Sequence, residues 1–233
     1  MPSQIQSPSG LLLFDKPLGW SSMKAVAVIR RCAGGVRTGH AGTLDPLATG
    51  LLVIALGGAT RSIERIMGDD KRYLTEIDLA AFTSTDDREG ERMEIAVTEP
   101  PALARVAEAL RGFVGTIRQR PPAFSAIKVA GRRAYRMARR GDAPTLPERP
   151  VTVHAIELLR YDYPIVTLAI HCGKGTYIRS IARDLGAALG TGGHCASIRR
   201  TAIGSFTVED AFTERTLPGT IGQAGLRPVP RAD

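Results

Sequence analysis

The chain has 233 residues, of which 43% are apolar, so it can bury a core and general disorder is excluded. Its longest aliphatic run, Leu51 to Leu56, is far shorter than the roughly 20 residues of a membrane helix, and the polar start lacks a signal-peptide pattern. A net charge of +8 favours a polyanionic partner, and we expect a cytoplasmic protein that binds nucleic acid rather than a membrane.

Hydrophobic periodicity predicts a chain in which strands and helices are interspersed. In the first half it predicts a strand over 11–14, a helix over 22–32 capped by Ser21 or Ser22, a glycine-rich loop over 39–50, and a strand over 51–56. A short helix over 60–67 and a strand over 72–81 follow.

The second half predicts a helix that starts at Pro101, with Leu103, Val106, Leu110 and Val114 on its inner face. Strands over 126–129, 151–161 and 165–172 follow, then a helix over 178–189 ended by Gly190. The Gly- and Pro-rich tail from Leu217 onward is expected to fray. The pattern indicates one α/β (α+β) domain with a mixed, largely antiparallel central sheet flanked by helices.

Basic residues are unevenly distributed, and most are arginine: only five of the 31 are lysine. Between Arg111 and Arg140 there are nine basic residues and no acidic one, interleaved with Phe124 and Tyr135. This composition suits phosphate neutralisation combined with base stacking, and the alternative is a solvated charge-rich face. We call residues 111–150 the basic segment and predict that Arg132, Arg139 and Arg140 bind nucleic acid.

The three cysteines have no spacing typical of a zinc site, and reduced, buried thiols are the simplest interpretation. A phosphate-binding loop is excluded near Lys174, because the motif requires Ser or Thr after the lysine and Gly175 stands there. Neither a metal site nor a redox centre is therefore visible in the cysteine pattern.

The loop from Gly39 to Gly50 carries a single aspartate, Asp45, between a predicted helix and a hydrophobic strand. Pro46 restricts Asp45 to an extended conformation, so the loop could hold one carboxylate on a rigid base. An ordinary Asp-Pro turn is the alternative. A functional carboxylate requires a partner, and Arg179 is a candidate because it lies in an otherwise apolar stretch. There it needs a carboxylate such as Asp45 or Asp184, unless it is a surface arginine.

These features occur within five ordered segments that together resemble the TruB family of tRNA pseudouridine synthases. The first contains the sequence DKPLGWSS, and the five segments are residues 10–22, 39–50, 71–73, 119–135 and 175–186. The resemblance extends from about Gly10 to Phe206. It implies the pseudouridine synthase fold and isomerisation of the T-loop uridine conventionally numbered 55, without a cofactor or metal.

The resemblance also implies a role for each matching residue. Asp45 matches the catalytic aspartate, Tyr73 the tyrosine that stacks on the target uracil, and Arg179 the arginine that pairs with the aspartate. On the substrate side, the matching residues are His40 at the flipped-out region of the T loop, Tyr177 and Ile198 in the uracil pocket, and Lys128 near the site.

The sequence departs from the family pattern in two places. Only residues 207–233 follow Phe206, so we expect a catalytic domain over 1–213 and a short tail over 214–233, without a full C-terminal RNA-binding domain. Docking of the tRNA T-stem-loop would then depend on the basic segment, acting as a thumb, in a monomer without an obligatory protein partner. The spacing of Thr83, Thr85, Asp87 and Gly90 is family-like, but Ala80 stands where glycine is usual.

Three alternative functions follow from the same features. A tRNA-folding chaperone, with or without catalysis, would explain the basic segment. A relative that depends on a guide RNA would share the fold, although such enzymes usually carry the additional RNA-binding domain. An enzyme for a small molecule would leave the basic segment unexplained.

Overall fold

A computed structural model describes residues 7–125, 127–129, 131–138, 140–142 and 144–230, except for the side chains of 128, 129 and 133. The chain forms two compact units: the terminal unit, Met1–Arg72 with Arg199–Asp233, and the central unit, Tyr73–Ile198. Among the described residues no helix is long and apolar enough to span a bilayer. The predicted division into a catalytic domain over 1–213 and a tail over 214–233 stays a prediction.

The described residues form the following regular elements in chain order. The strands are β1 (Gly10–Lys16), β2 (Thr38–His40), β3 (Ala48–Leu56), β4 (Lys71–Asp78), β5 (Ala81–Thr83), β6 (Arg92–Glu94), β7 (Gly115–Gln119), β8 (Lys128–Val129), β9 (Arg132–Arg133), β10 (Arg149–Asp162), β11 (Ile165–Cys172), β12 (His194–Ile203) and β13 (Phe206–Thr207). The α-helices are α1 (Ser22–Cys32), α2 (Ile63–Gly68), α3 (Leu103–Arg111), α4 (Ala134–Ala138) and α5 (Ile178–Leu189), and 3-10 helices occupy Gly57–Ser62, Val208–Asp210 and Gln223–Gly225.

The terminal unit is built on β3, whose aliphatic run is buried on both faces. Leu51 and Val53 pack into one core cluster, whereas Leu52 and Ile54 pack into another beneath α1. A strand covered on both faces reads as a continuous hydrophobic run, which is why its sequence shows no alternation. β1 and β2 both pair antiparallel with β3, on its two edges.

Helix α1 begins and ends where its sequence predicts. The Ser21 side chain accepts a hydrogen bond from the Lys24 N–H at the start. At the other end the Gly35 N–H donates to the Arg30 carbonyl, with Gly35 at φ +84°. Side-chain capping at the start and left-handed glycine at the end satisfy backbone groups that the helix leaves open.

The expectation of a frayed tail is wrong for residues 217–230. Ile221 is buried in the core beneath α1, and its N–H donates to the Cys32 carbonyl at 2.8 Å. Arg227 and Leu11 exchange two backbone hydrogen bonds, each 2.8 Å long. The Gly and Pro content misled the prediction because a few apolar anchors and an open strand edge are sufficient to order an irregular segment.

In the central unit, β10 pairs with β11 on one edge and with β7 on the other. These pairs are antiparallel, as are β5–β6 and β8–β9, and helices α3 and α5 contact each other. The predicted α/β class with a largely antiparallel sheet is confirmed. Helix α5 has the predicted limits and is followed by Gly190 in the left-handed conformation.

Two local predictions for the central unit were wrong in detail, and one strand was missed. The strand predicted over 72–81 ends at Asp78, whose carboxylate accepts from the Ala80 N–H and turns the chain into β5. Strand β7 was not predicted. Helix α3 ends at Arg111, which leaves Val114 outside it, and Leu103 at its start is 57% exposed. Apolar residues at either end of a sequence with helical spacing can therefore lie outside the helix or be exposed at its first turn.

Candidate active site

The loop that carries Asp45 is anchored on both sides of the aspartate. Leu44 and Leu47 are buried, whereas Asp45 itself is half-buried. The hydroxyl of Ser22 accepts from the Leu44 N–H at 2.8 Å and donates to the Leu44 carbonyl at 3.0 Å. The Ala48 N–H donates to the Asp45 carbonyl at 3.0 Å. The backbone beneath the carboxylate is therefore fixed.

The DKPLGWSS segment supports this loop. Its Gly19 N–H donates to the Pro46 carbonyl at 2.8 Å. Its buried Lys16 ammonium donates to the carbonyls of Pro17 and Trp20, at 3.0 and 2.7 Å. The segment therefore has a structural role that explains its position next to the Asp45 loop.

Arg200 is a second anchor of the same loop, and it was not identified from the sequence. It is 2% exposed, and its guanidinium donates to the carbonyls of Leu51 at 2.8 Å and Gly42 at 3.0 Å. Gly50 has φ +99°, and a Cβ there would lie 2.2 Å from the Arg200 carbonyl oxygen. Only glycine permits this close approach.

His40, at the end of β2, is half-buried. Burial lowers the pKa of its imidazole, the positive charge of Arg200 lowers it further, and a hydrogen bond with the Gly42 backbone opposes both effects. The imidazole is therefore mainly neutral at pH 7, so it can accept as well as donate a hydrogen bond. In the terminal unit, His40 thus lies directly before the loop that carries Asp45.

Arg179 lies in the first turn of α5 and is 3% exposed. Its guanidinium donates to the carbonyls of Thr85 at 2.9 Å and Phe124 at 2.8 Å, and lies 3.3 Å from a carboxylate oxygen of Asp87. The expectation that Arg179 is not an ordinary surface arginine is confirmed. Asp87 is a carboxylate partner that the sequence analysis did not identify, whereas Asp184 accepts from Arg183 at 2.9 Å.

Asp87 is itself held by its loop. One carboxylate oxygen accepts from the Thr85 hydroxyl at 2.6 Å and from the Glu89 N–H at 3.0 Å. The Thr83 hydroxyl donates to the Asp87 carbonyl at 2.7 Å, and a Cβ at Gly90 would lie 2.5 Å from the Thr85 hydroxyl. The family-like Thr83, Thr85, Asp87 and Gly90 spacing was therefore the sequence signal for this partner.

Burial is the main cause of the pKa shifts of Asp86, Asp184 and Cys195 in the central unit. Burial raises the pKa of Asp86 and of Asp184, and the positive charge of Arg183 opposes both shifts. Burial also raises the pKa of the Cys195 thiol to about 12, so this thiol stays protonated and unreactive. All three cysteines are free thiols, as predicted, but Cys32 is half-buried rather than buried.

The predicted uracil-contacting residues occupy different elements of the central unit. Tyr73 is half-buried on β4, and Ile198 is buried on β12. Tyr177 is half-buried directly before α5, two residues from Arg179, so the start of this helix brings both together. The Gln119 side chain binds the Tyr177 backbone at both its N–H and its carbonyl.

The basic segment contains the β8–β9 hairpin and α4. Arg132 and Arg140 are exposed, whereas Arg139 and the side chain of Lys128 lie outside the described residues. At the base, Glu148 lies 3.5 Å from both Arg118 and Arg120, so an acidic residue beyond Arg140 partly compensates the charge.

Comparison with known proteins shows that most of the chain matches one protein family. The model of the TruB family pseudouridylate synthase N-terminal domain matches residues 30–178, and the model of the tRNA pseudouridylate synthase B C-terminal domain matches residues 179–222. The chain is 51% identical to tRNA pseudouridine synthase B of Leifsonia xyli and 47% identical to that of Thermobifida fusca. These matches cover 90% and 88% of this chain and 72% of each relative.

The chain is also similar to chains of known structure. The chain is similar to a chain of a Cbf5-Nop10-Gar1 complex, with a TM-score of 0.70 and 30% identity over 91% of this chain and 53% of that one. It is also similar to a chain of an H/ACA RNP bound to a substrate RNA containing 2'-deoxyuridine, with a TM-score of 0.67 and 27% identity. This chain spans about half the length of each of those chains. The chain therefore belongs to the TruB family and is a pseudouridine synthase, an isomerase.

Proposed function

We propose that this enzyme converts uridine 55 in the T loop of tRNA to pseudouridine, with Asp45 as its catalytic carboxylate. The curated relatives named tRNA pseudouridine synthase B support tRNA as the substrate. The observation that carries the assignment of Asp45 is its anchored loop, in which Ser22 binds both backbone groups of Leu44 beside the aspartate. A fixed backbone can hold one carboxylate in a reactive orientation.

The reaction needs a group that can act at the ribose or at the base. The bond between N1 and C1′ breaks, the uracil rotates, and C5 bonds to C1′; the C5 proton leaves and N1 gains one, so the product is an isomer. A carboxylate at Asp45 can attack C1′ or C6, or remove the 2′ proton. Each route balances without oxidation, reduction or an added group.

A uridine inside a folded T loop must first leave its stack. We assign Tyr73 to stack on the extruded uracil, and Tyr177 and Ile198 to line its pocket, because a stacking ring offsets part of the cost of unstacking. His40 contacts the T loop as a mainly neutral imidazole. We assign Arg179, as the family resemblance implies, to pair with the Asp45 carboxylate and orient it during the reaction.

Binding of the T-stem-loop is assigned to the basic segment. Exposed Arg132 and Arg140, together with Lys128 and Arg139, supply the positive charge that neutralises RNA phosphates. We further propose that the enzyme is a monomer and that it acts on tRNA in the cytoplasm.

The decisive experiment uses tRNA transcript labelled with tritium at C5 of uridine, with no helper RNA, and maps the product base. The wild-type enzyme should release tritium and form pseudouridine at position 55. Asp45→Asn should abolish release while tRNA binding stays nearly intact, because the carboxylate is lost and the shape is kept. Asp162→Asn, at a carboxylate in the central unit with 74% side-chain exposure, is the matched control and should remain active.

An active Asp45→Asn enzyme would refute the assignment of the catalytic carboxylate. Similarity to the chain of a Cbf5-Nop10-Gar1 complex supports a second candidate, an enzyme that needs a guide RNA or protein partner. Activity on bare tRNA excludes that candidate, and binding without tritium release favours it. Faster tRNA refolding by Asp45→Asn would add a chaperone activity to the catalytic one.

A further inference from the structure

Strands β7 and β10 meet at the base of the basic segment. Gln119, the last residue of β7, is paired with Arg149, the first residue of β10, and the chain between them forms most of the segment. Gln119 is 1% exposed. A buried amide side chain at this junction must find hydrogen-bond partners, and its partners identify what it holds.

Both ends of the Gln119 amide bind the backbone of Tyr177. Its Nε2 donates to the Tyr177 carbonyl at 3.1 Å, and its Oε1 accepts from the Tyr177 N–H at 2.8 Å. One backbone donor and one backbone acceptor determine which way the amide points. A side chain that replaces Gln119 can therefore make both bonds only if it carries a hydrogen-bond donor and an acceptor.

Arg149 holds the same stretch from the neighbouring strand. Its Nη2 donates to the Gly175 carbonyl at 2.7 Å, and its guanidinium carbon lies 5.4 Å from the centre of the Tyr177 ring. The paired ends of β7 and β10 therefore both bind the residues that lead into α5. Contacts in the opposite direction connect α5 to the segment, since the Ser180 hydroxyl donates to the Arg120 carbonyl at 2.8 Å.

We infer that Gln119 is a positioning residue for the isomerisation: it holds Tyr177, and through the first turn of α5 also Arg179, in the orientation that the reaction requires. Gln119 acts through the backbone of Tyr177 and touches no reacting atom. The inference rests on the proposed roles of Tyr177 and Arg179 at the uridine. It also makes the base of the basic segment a mechanical connection between RNA binding and the start of α5.

The first test replaces Gln119 with Met, which keeps the length and removes the paired hydrogen bonds. Single-turnover tritium release from labelled tRNA at saturating enzyme should slow by about ten- to a hundredfold, because a small misplacement of positioned groups has effects of this size. The tRNA dissociation constant should change by less than about threefold, since the binding surface is retained.

Tyr161→Phe is the matched control for the loss of a hydrogen bond in the same unit. It removes a 2.6 Å bond from the Tyr161 hydroxyl to the Pro101 carbonyl. This control should lower the thermal midpoint and leave the single-turnover rate unchanged. Thermal unfolding of each variant therefore separates a loss of stability from a loss of positioning.

The second test uses Gln119→Glu and pH. An ionised carboxylate accepts from the Tyr177 N–H but cannot donate to its carbonyl, whereas the protonated acid restores both bonds. The rate of this variant relative to wild type should therefore rise as the pH is lowered from 8 to 5.5. A structural role alone gives no such pH-dependent ratio in folded enzyme.

The outcomes are distinct. A folded Gln119→Met enzyme with the wild-type rate overturns the inference, and so does a Gln119→Glu rate ratio that is constant with pH. If Gln119→Met does not fold, the pH ratio decides alone. An inactive wild-type enzyme would instead contradict the proposed function, so the two failures are distinguishable.

Discussion

Arg200 in the terminal unit and Arg179 in the central unit are both buried, and each guanidinium holds a different loop. Arg200 donates to backbone carbonyls of the Asp45 loop and of β3, at Gly42 and Leu51. Arg179 donates to carbonyls and also lies against the buried carboxylate of Asp87. Both guanidinium groups thus bind backbone dipoles, and removal of Arg179 also leaves the buried Asp87 carboxylate without this opposite charge.

The two loops are adapted to these arrangements. Around Arg200, a glycine at position 50 lets the backbone approach closely, as no other residue could. Around Arg179, side chains provide the structure, because Thr83 and Thr85 fix the Asp87 loop through hydrogen bonds. Both loops thus depend on a glycine at a close approach, Gly50 or Gly90, and the second loop also holds the Asp87 carboxylate that pairs with Arg179.

Breaking the charged pair should have the largest effect on stability. Arg179→Met should lower the free energy of unfolding by about 3–5 kcal/mol, because Asp87 is left as a buried charge. Arg179→Met combined with Asp87→Asn should recover part of this loss, since the unpaired charge is removed. Urea unfolding followed by circular dichroism measures both. Equal stability of the single and double variants would contradict a charge-based explanation.

Removing Arg200 should also destabilise the protein, because the carbonyls that it binds lose their donor. Arg200→Met should lower the free energy of unfolding by about 1–3 kcal/mol, the usual cost of buried polar groups that lose a hydrogen bond. The Asp45 loop loses an anchor, so single-turnover tritium release should slow as well. Arg61→Met, at an exposed arginine of the same unit, is the matched control and should change neither quantity. An unchanged free energy of unfolding and an unchanged rate would contradict the role of Arg200 as an anchor of the Asp45 loop.

Of the three kinds of arginine variant, replacement of an exposed arginine should change stability least and tRNA binding most. Arg132→Ala and Arg140→Ala should each weaken tRNA binding and reduce the slope of log affinity against log salt by about one. Thermal midpoints should not change. Arg160→Ala, at an arginine of β10 with 74% side-chain exposure, is the matched control. Unchanged slopes for Arg132 and Arg140 variants would exclude these two residues from the RNA interface.

The sequence by itself determined the local structure around the proposed catalytic residues. The continuous aliphatic run of β3, the Ser21 cap of α1 and the limits of α5 could be read from adjacent residues, because each depends on local periodicity or backbone conformation. The glycine-rich loop with Asp45 and the start of α5 with Arg179 were located in the same way. The family resemblance supplied the proposed roles of these residues.

Only the tertiary structure decided which distant groups meet. It paired Arg179 with Asp87, placed Arg200 under the Asp45 loop, joined Gln119 to Tyr177 and ordered the tail through Ile221. These partners are separated by tens to hundreds of residues, and no local pattern specifies them. A buried polar group must find a partner, but the topology of the chain determines which one lies within reach.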